Sequence, residues 1–540
     1  MKSSENSVKH NIEKKRNLCI VISAHQCYIR HEHDAQRYGA ENNMLFESIS
    51  NVYLPLLNSL NEAEENGLDC KISLVVSPIL CELLTDSVIR EQYIDWLDRR
   101  ILLGESEMVR LQNDGELQKV ALRTTQKAKK DKADFTEKYS RGIIKEIARL
   151  SEKGKIELLA TCGTYSYLPH YADLEEVVCA QIESGLHAHK RFFGHLPDGF
   201  FLPYLGYAPG IERLLRAYGM NYTIIDSRSL FFSPDGAGSG IFEPVRGDPS
   251  NPLAFFATDP NVLKEIESFS TRSVFRAVSR DIGFEVDSST LSHFIPEGSP
   301  RIPTLFRYFA KDGKIYDEEK AISAATDAAD MFLESRTKRL FDASNELSAS
   351  ATMVCVIDAS LLGKTWEEGS VFFSELLKKS AEEKSIRLCG ASDVLCDLGS
   401  DSAKLRQIRV YPSASTKDGF AGNLLDSSNA WMVRYTRKMC ERMVDISDRF
   451  PHDTGLKIRL LNLGAKELLL SQDGEWARLT SENADFREYA EKNFRECIKA
   501  FIVVYDSLGS NTVSTEWLTR QEKRHPLFPW MNFRIFSPKK

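Results

Sequence analysis

Apolar residues along the chain follow two rhythms, and the change from one to the other divides it. Through the first three quarters, short unbroken apolar runs stop at small or polar residues and give way to longer stretches with an apolar residue every three or four positions. Leu18 to Ile22 (LCIVI) runs into Ser23-Ala24-His25, and Lys71 to Val76 (KISLVV) stops at Ser77-Pro78. Lys155 to Ala160 (KIELLA), Gly199 to Leu202 (GFFL) and Tyr222 to Asp226 (YTIID) repeat the form. Runs that are apolar at every position predict strands buried on both faces, as in a parallel sheet. The segments between them predict helices: LFESISNVYLPLLNSLNEAEENG, the charged stretch from about 85 to 153, Leu174 to Phe193, and Ile211 to Tyr218. Strand and helix alternating in this way predict a parallel sheet closed or nearly closed on itself, with its chemistry at the C-terminal strand ends.

The alternation breaks from Ser227 to about Gly283, where SPDGAGSG is turn-forming, and this predicts an excursion from the sheet. It resumes at Thr352 to Ile357 (TMVCVI), which delivers Asp358 at its end, and Ile408 to Tyr411 is expected to close the set. Beyond residue 412 the period is helical throughout, with Met432, Tyr435, Met439, Met443, Ile446 and Phe450 on one stripe. Core packing is the expectation for this stripe and for Trp431 within it. The predicted division is a basic tail over 1–16, a barrel over 17–226 and 284–412, an insertion over 227–283 and a helical domain over 413–540.

Composition narrows the function classes. A chain of 540 residues exceeds one ordinary core and leaves room for a barrel beside a second unit. A net charge of -7 with no broad basic stripe excludes nucleic acid as an expected partner. The first 16 residues hold five Lys/Arg but no apolar signal core, and no stretch is apolar enough to span a bilayer, so neither secretion nor a membrane is expected. Eleven cysteines without CxxC or zinc-like spacing fit reduced thiols in a cytoplasm. No metal-ligand cluster and no phosphate-cradling loop is visible, so no metal or cofactor is expected, and the sequence sets no oligomeric state.

Several segments, in order, resemble one family. They are SAHQCYIRH around His25, GKIELLATCGTYSYLP (154–169), GFFLPYLGYAPGIERLL (199–215), FRAVSRDIGF (275–284), IDASLLGKTWEEG (357–369), LNLGAKELLLSQDGEW and the final HPLFPWMNFRIF. Together they resemble glycoside hydrolase family 57 on its 1,4-α-glucan branching enzyme side, over about 17 to 536. The resemblance implies a distorted (β/α)7 barrel with a loop-rich insertion and a C-terminal helical domain. It further implies retaining cleavage of an α-1,4 bond, passage of the glycosyl unit to a 6-hydroxyl, and an α-glucan of the glycogen or amylose kind as ligand. Retention needs two carboxyl groups about 5 to 5.5 Å apart, one as nucleophile and one as acid/base.

By register Asp358 takes the acid/base position, at a strand end where partial desolvation would suit that role. The nucleophile position falls on Tyr204, since Leu202-Pro203-Tyr204 stands where the family has Leu-Pro-Glu. A phenol with an ordinary pKa of about 10 is protonated at neutral pH and cannot stabilise an oxocarbenium-like centre as a carboxylate does. Other departures gather at the same place: Ser23, Tyr165 and Lys364 replace family histidines, and Ser360 replaces a glutamate. Asp473-Gly474-Glu475-Trp476 stands for Ser-Ser-Asp-Trp, and Ala414 to Lys417 stands for Ser-Ser-Trp-Gly. His25, Tyr165, Trp366 and Trp476 are the substrate-binding candidates that the resemblance implies.

Each candidate also has a structural reading. His25 is then a hydrogen-bonded core histidine, Tyr204 an aromatic capping the former carboxylate pocket, and Asp358 a hydrogen-bond acceptor. The expectation is an impaired or inactive relative that keeps glucan binding. The alternative is an active transferase or hydrolase with rewired chemistry. Sialidases use a tyrosine nucleophile supported by a carboxylate, and Glu212 or Asp226 would be that support here. A structural or regulatory protein without sugar affinity is the third class.

Overall fold

The computed structural model describes residues 14–30, 39–247, 252–295, 301–399, 405–416, 418–452 and 454–538. Most of the expected basic tail, and Lys417, lie outside the described residues. Nine strands are described: β1 (Arg16–Ala24), β2 (Ile72–Val76), β3 (Ile156–Leu159), β4 (Gly199–Phe201), β5 (Tyr222–Ile225), β6 (Val245–Arg246), β7 (Ala254–Ala257), β8 (Ala351–Asp358) and β9 (Arg387–Leu388). Parallel pairing runs β3-β2-β1-β8 in one sheet and β4-β5-β7 in another.

Two seams close the ring. Phe201 N donates to Ala160 O at 2.7 Å between β3 and β4, and Asp259 N donates to Val354 O at 2.7 Å between β7 and β8. The result is a barrel of seven parallel strands, β1-β2-β3-β4-β5-β7-β8. Alternation along each strand explains why the runs are apolar throughout. Cys19, Val21, Val75, Leu159, Tyr222, Ile224, Phe256 and Val354 pack together in the interior. Leu18, Ile20, Ile22, Leu74, Leu158, Met353, Cys355 and Ile357 pack outward with the surrounding helices.

Two sequence expectations change. The stretch 227–283 is not wholly an excursion, because Ala254–Ala257 pairs with β5 and supplies the sixth barrel strand. Ile408 to Tyr411 does not close the barrel: Ile408 N donates to Arg246 O at 2.9 Å, extending the antiparallel edge of β6. Closure instead comes from β8 pairing with β1 from Arg16↔Ala351 to Ser23↔Asp358.

The helices Ser87–Arg110 and Gly115–Ala133 pack on each other in the connection between β2 and β3, and Glu318–Leu347 precedes β8. C-terminal to the barrel lie Ala430–Arg449, Leu456–Ser471, Gly474–Glu482, Ala484–Ser510 and Thr515–Arg524. The expected stripe on the first of these is buried at Met432, Met439, Met443 and Ile446, while Tyr435 turns outward at 52% exposure. These helices cover one side of the barrel mouth. Thr164 Oγ1 donates to Leu469 O at 2.5 Å, Gln181 Nε2 to Gln472 Oε1 at 2.5 Å, and Ser166 bridges Asp473.

Candidate active site at the barrel mouth

The inward face of β1 carries Cys19, Val21 and then Ser23; that of β8 carries Val354, Val356 and then Asp358. Strand geometry therefore puts Ser23 and Asp358 side by side at the C-terminal end of the barrel, as their pairing register shows. Asp358 is exposed, and its carboxylate accepts from Ser360 N at 2.8 Å, capping the turn Ala359–Leu362. Among the described residues Asp358 stays exposed, so the desolvation expected there is not seen.

His25, the residue that follows β1, is fixed at both ring nitrogens: Nδ1 lies 2.8 Å from Ser77 Oγ and Nε2 lies 3.2 Å from Asp473 Oδ1. Its ring stacks on Tyr165 with centroids 4.1 Å apart and planes 9° from parallel. The Tyr165 hydroxyl in turn lies 2.8 Å from Ser23 Oγ. Ser23 and Tyr165 thus bond to each other. Burial first, then the Asp358 and Glu475 carboxylates, hold the Tyr165 phenol well above its ordinary pKa against the bond from Ser23.

Tyr204 sits just past β4 with φ 57° and ψ 18°, and Tyr165 at the end of the neighbouring strand has φ 54°. A side chain in the left-handed region costs roughly 1–2 kcal/mol, so contacts must hold each in place. For Tyr204 they come from two sides. Its carbonyl accepts from Ser415 N at 2.7 Å and Ser415 Oγ at 2.8 Å, and its hydroxyl donates to Glu475 Oε1 at 3.1 Å. A Cβ placed on Gly474 would lie 2.6 Å from Tyr204 Cε2, so the ring rests against the start of the Gly474–Glu482 helix.

Glu475 is itself committed. Arg478 Nε donates to Oε1 at 2.8 Å and Nη2 to Oε2 at 2.6 Å, a two-pronged pair one turn along the helix. Burial pushes the Glu475 carboxyl up, but the Arg478 charge and hydrogen bonds outweigh it and leave it at about 2. Burial and the Glu475 charge push the Tyr204 phenol the other way, well above its usual value. Lys364 donates to Met44 O at 3.3 Å, and burial lowers its pKa.

The two tryptophans expected to stack on sugar are in the core. Trp366 is 1% exposed, packed between Phe275 at 5.2 Å and Phe372 at 5.3 Å. Trp476 is 2% exposed and donates from Nε1 to Leu470 O at 2.8 Å. Neither face is open to a ligand, because each indole fills a gap between helices. Glu212 and Asp226 do not reach Tyr204 either. Glu212 accepts from the Tyr207 hydroxyl at 3.0 Å and Gly210 N at 2.8 Å, and Asp226 pairs with Arg228 at 2.7 Å.

A family model described as glycosyl hydrolase family 57 matches residues 14–403, and one described as 1,4-alpha-glucan branching enzyme, C-terminal, matches 435–536. The chain belongs to glycosyl hydrolase family 57. This family 57 chain is 22% identical over 503 residues to a 1,4-alpha-glucan branching enzyme of Thermococcus kodakarensis, covering 88% of itself and 71% of that relative. The α-amylase AmyC from Thermotoga maritima superposes with a TM-score of 0.88 at 26% identity, over 97% of this chain and 100% of that one. A branching enzyme from Pyrococcus horikoshii gives a TM-score of 0.85 at 20% identity, over 97% of each. The likeness to these structures establishes the barrel with its C-terminal helices.

Within the family 57 framework, sequence reading placed Tyr204 and Tyr165 at the mouth but missed the side chains that complete it. Asp473, Glu475 and Arg478 come from the helical region, far along the chain. The signal available was the DGEW segment (473–476), which the resemblance had set apart together with Tyr204. Paired departures of that kind mark residues that touch.

Proposed function

We propose that this protein is a branching-enzyme-like member of family 57 that has lost glycosyl transfer at the barrel mouth and retains binding of α-glucan chains. Asp358 holds the acid/base position and Tyr204 the nucleophile position. One observation carries the reading: the Tyr204 hydroxyl hydrogen-bonds to Glu475, whose carboxylate Arg478 already clamps. A retaining reaction needs an anion at the anomeric carbon. Burial holds the proton on the phenol and Arg478 depresses the carboxylate, so moving the proton from Tyr204 to Glu475 is strongly uphill. The pair therefore rests as phenol and carboxylate, with the charge turned toward Arg478.

The contact at 3.1 Å also favours a second reading, a tyrosine nucleophile supported by Glu475 in the manner of sialidases. Arg478 opposes it by making Glu475 a weak base. The free thiols at all eleven cysteines support a reducing cytoplasm as the setting. No helix among the described residues is long and apolar enough to cross a membrane.

Incubating the purified protein with amylose and measuring new reducing ends and α-1,6 branches tests the main reading. The expected result is no turnover above a protein-free control, together with retardation in amylose-containing native gels. Robust turnover abolished by Asp358→Ala overturns it, and an adduct on Tyr204 from an activated fluorosugar would establish the second reading. Absence of gel retardation would leave a protein without sugar affinity, the third class.

A further inference from the structure

Inside the C-terminal helical region, three side chains from three segments point their donor atoms at one another. Glu467 lies on Leu456–Ser471, Cys497 on Ala484–Ser510, and His525 ends Thr515–Arg524. Their exposures are 0%, 2% and 6%, and their donor atoms all lie within 4.8 Å of one another. No spacing motif announces them, which is why the sequence pointed to no metal.

We propose that Glu467, Cys497 and His525 form a site for a zinc-like divalent cation that ties these three helical segments together. The donor set selects the ion. Calcium and magnesium take six or more oxygens, whereas a thiolate, an imidazole and a carboxylate suit zinc. Three protein donors are present, with Glu467 binding through one oxygen and a solvent molecule as the fourth ligand of a tetrahedral ion. Glu467 Oε1 lies 2.7 Å from His525 Nδ1, Oε2 is buried, and the Cys497 thiol is the other hydrogen-bonding neighbour of the carboxylate. A buried carboxylate whose remaining partner is a thiol, a weak donor, is poorly satisfied, and a cation would satisfy it better.

A tetrahedral zinc holds its ligand atoms roughly 3.3 to 3.8 Å apart, so the His525 to Glu467 separation would open by about half an ångström and the longest separation would close by about one. The imidazole is already oriented. The Tyr28 ring meets it edge-on at 5.4 Å, and Lys466 Nζ donates to the His525 carbonyl at 2.6 Å. Thiolate and carboxylate together neutralise the dication, which leaves the one positive charge of the neighbouring Lys466 ammonium. On binding, Cys497 gives up its thiol proton and Nδ1 of His525 carries a lone pair to the metal, the released protons passing to solvent.

The test uses the full-length protein purified without immobilised metal. Its metal content is measured, then the chelated protein is titrated with zinc and with cobalt(II). Expected are stoichiometric zinc uptake, a thiolate-to-cobalt charge-transfer band with a tetrahedral visible spectrum, and an unfolding midpoint raised by several degrees with zinc. Cys497→Ser should lose the charge-transfer band, and His525→Gln should lose the zinc-dependent rise. Substoichiometric uptake, no thiolate band in the unmodified protein, or a band unchanged in Cys497→Ser overturns the proposal. If either variant fails to fold, the cobalt spectrum of the unmodified protein decides alone.

Discussion

At the scale of single residues, the mouth is built around the Tyr204 ring and the glycine it rests on. Gly474 opens the Gly474–Glu482 helix, where alanine would ordinarily stabilise by up to about 1 kcal/mol. Here the added Cβ would meet Tyr204 Cε2 at 2.6 Å and its hydroxyl at 2.8 Å. Forcing a methyl into a packed site costs about 1–3 kcal/mol, which outweighs the helix gain. Gly474→Ala should therefore lower stability in chemical denaturation, and should cost measurably less, or stabilise, in a Tyr204→Ala background. Equal effects in both backgrounds would show that the ring does not rest there. Tyr204→Phe tests the hydroxyl separately. Glu475 keeps both Arg478 bonds without it, so the expected loss is about 1 kcal/mol or less.

At the scale of elements, the helix Glu175–Phe193 carries an acid-sensitive group on its inner face. His189 is buried, its Nε2 has no hydrogen-bond partner, and burial followed by the His195 charge draws its pKa down to about 3. His170, on the turn before this helix, is drawn down to about 4 by burial and Arg437. Both folded values lie below the unfolded value of about 6.5, so the unfolded chain takes up protons first as pH falls. The contribution is fully present above pH 6.5 and is lost progressively toward pH 4 for His170 and pH 3 for His189, by up to about 1.4 kcal/mol per pH unit for each group. Urea unfolding between pH 7 and 4 should show this slope. His189→Leu should flatten it by one proton while leaving stability at pH 7 unchanged or higher, since the substitution removes a buried atom without a partner. A slope identical to that of the unmodified chain would place the proton uptake elsewhere.

At the scale of the whole molecule, what was legible in the sequence follows from what local pattern can encode. The barrel strands β1, β2, β3, β4, β5 and β8 were readable because burial on both faces forces long apolar runs, and Asp358 and Ser23 followed as the residues after them. The four-residue β7 was not readable, because pairing with β5 and β8 decides it and its own period does not. Trp366 and Trp476 were misread for a related reason: an indole looks the same in sequence whether it fills a gap or faces a cleft. Tyr204 was readable as a residue of the mouth, but its partners Glu475 and Arg478 belong to a helix whose position over the mouth is a tertiary fact. That position implies a thermodynamic coupling. Asp473, 3% exposed, takes a hydrogen bond from or gives it to His25 at 3.2 Å at the end of β1. Tyr489 donates to Tyr28 O at 3.2 Å, and Arg437 pairs with Asp173 at 2.6 Å. With these contacts and the buried Thr164 to Leu469 and Gln181 to Gln472 bonds along the shared face, neither part keeps its core when the other opens, and a single cooperative transition is expected. Far-UV circular dichroism and tryptophan fluorescence should then give coincident urea midpoints, although Trp96 and Trp366 report on the barrel side and Trp431, Trp476, Trp517 and Trp530 on the helical side. Asp473→Ala, which leaves a buried histidine nitrogen without its partner, should shift that one midpoint down by about 1–3 kcal/mol without splitting it. Two resolved transitions in the unmodified chain would mean that the helical region stands alone, and that the Tyr204 to Glu475 contact forms only after both parts have folded.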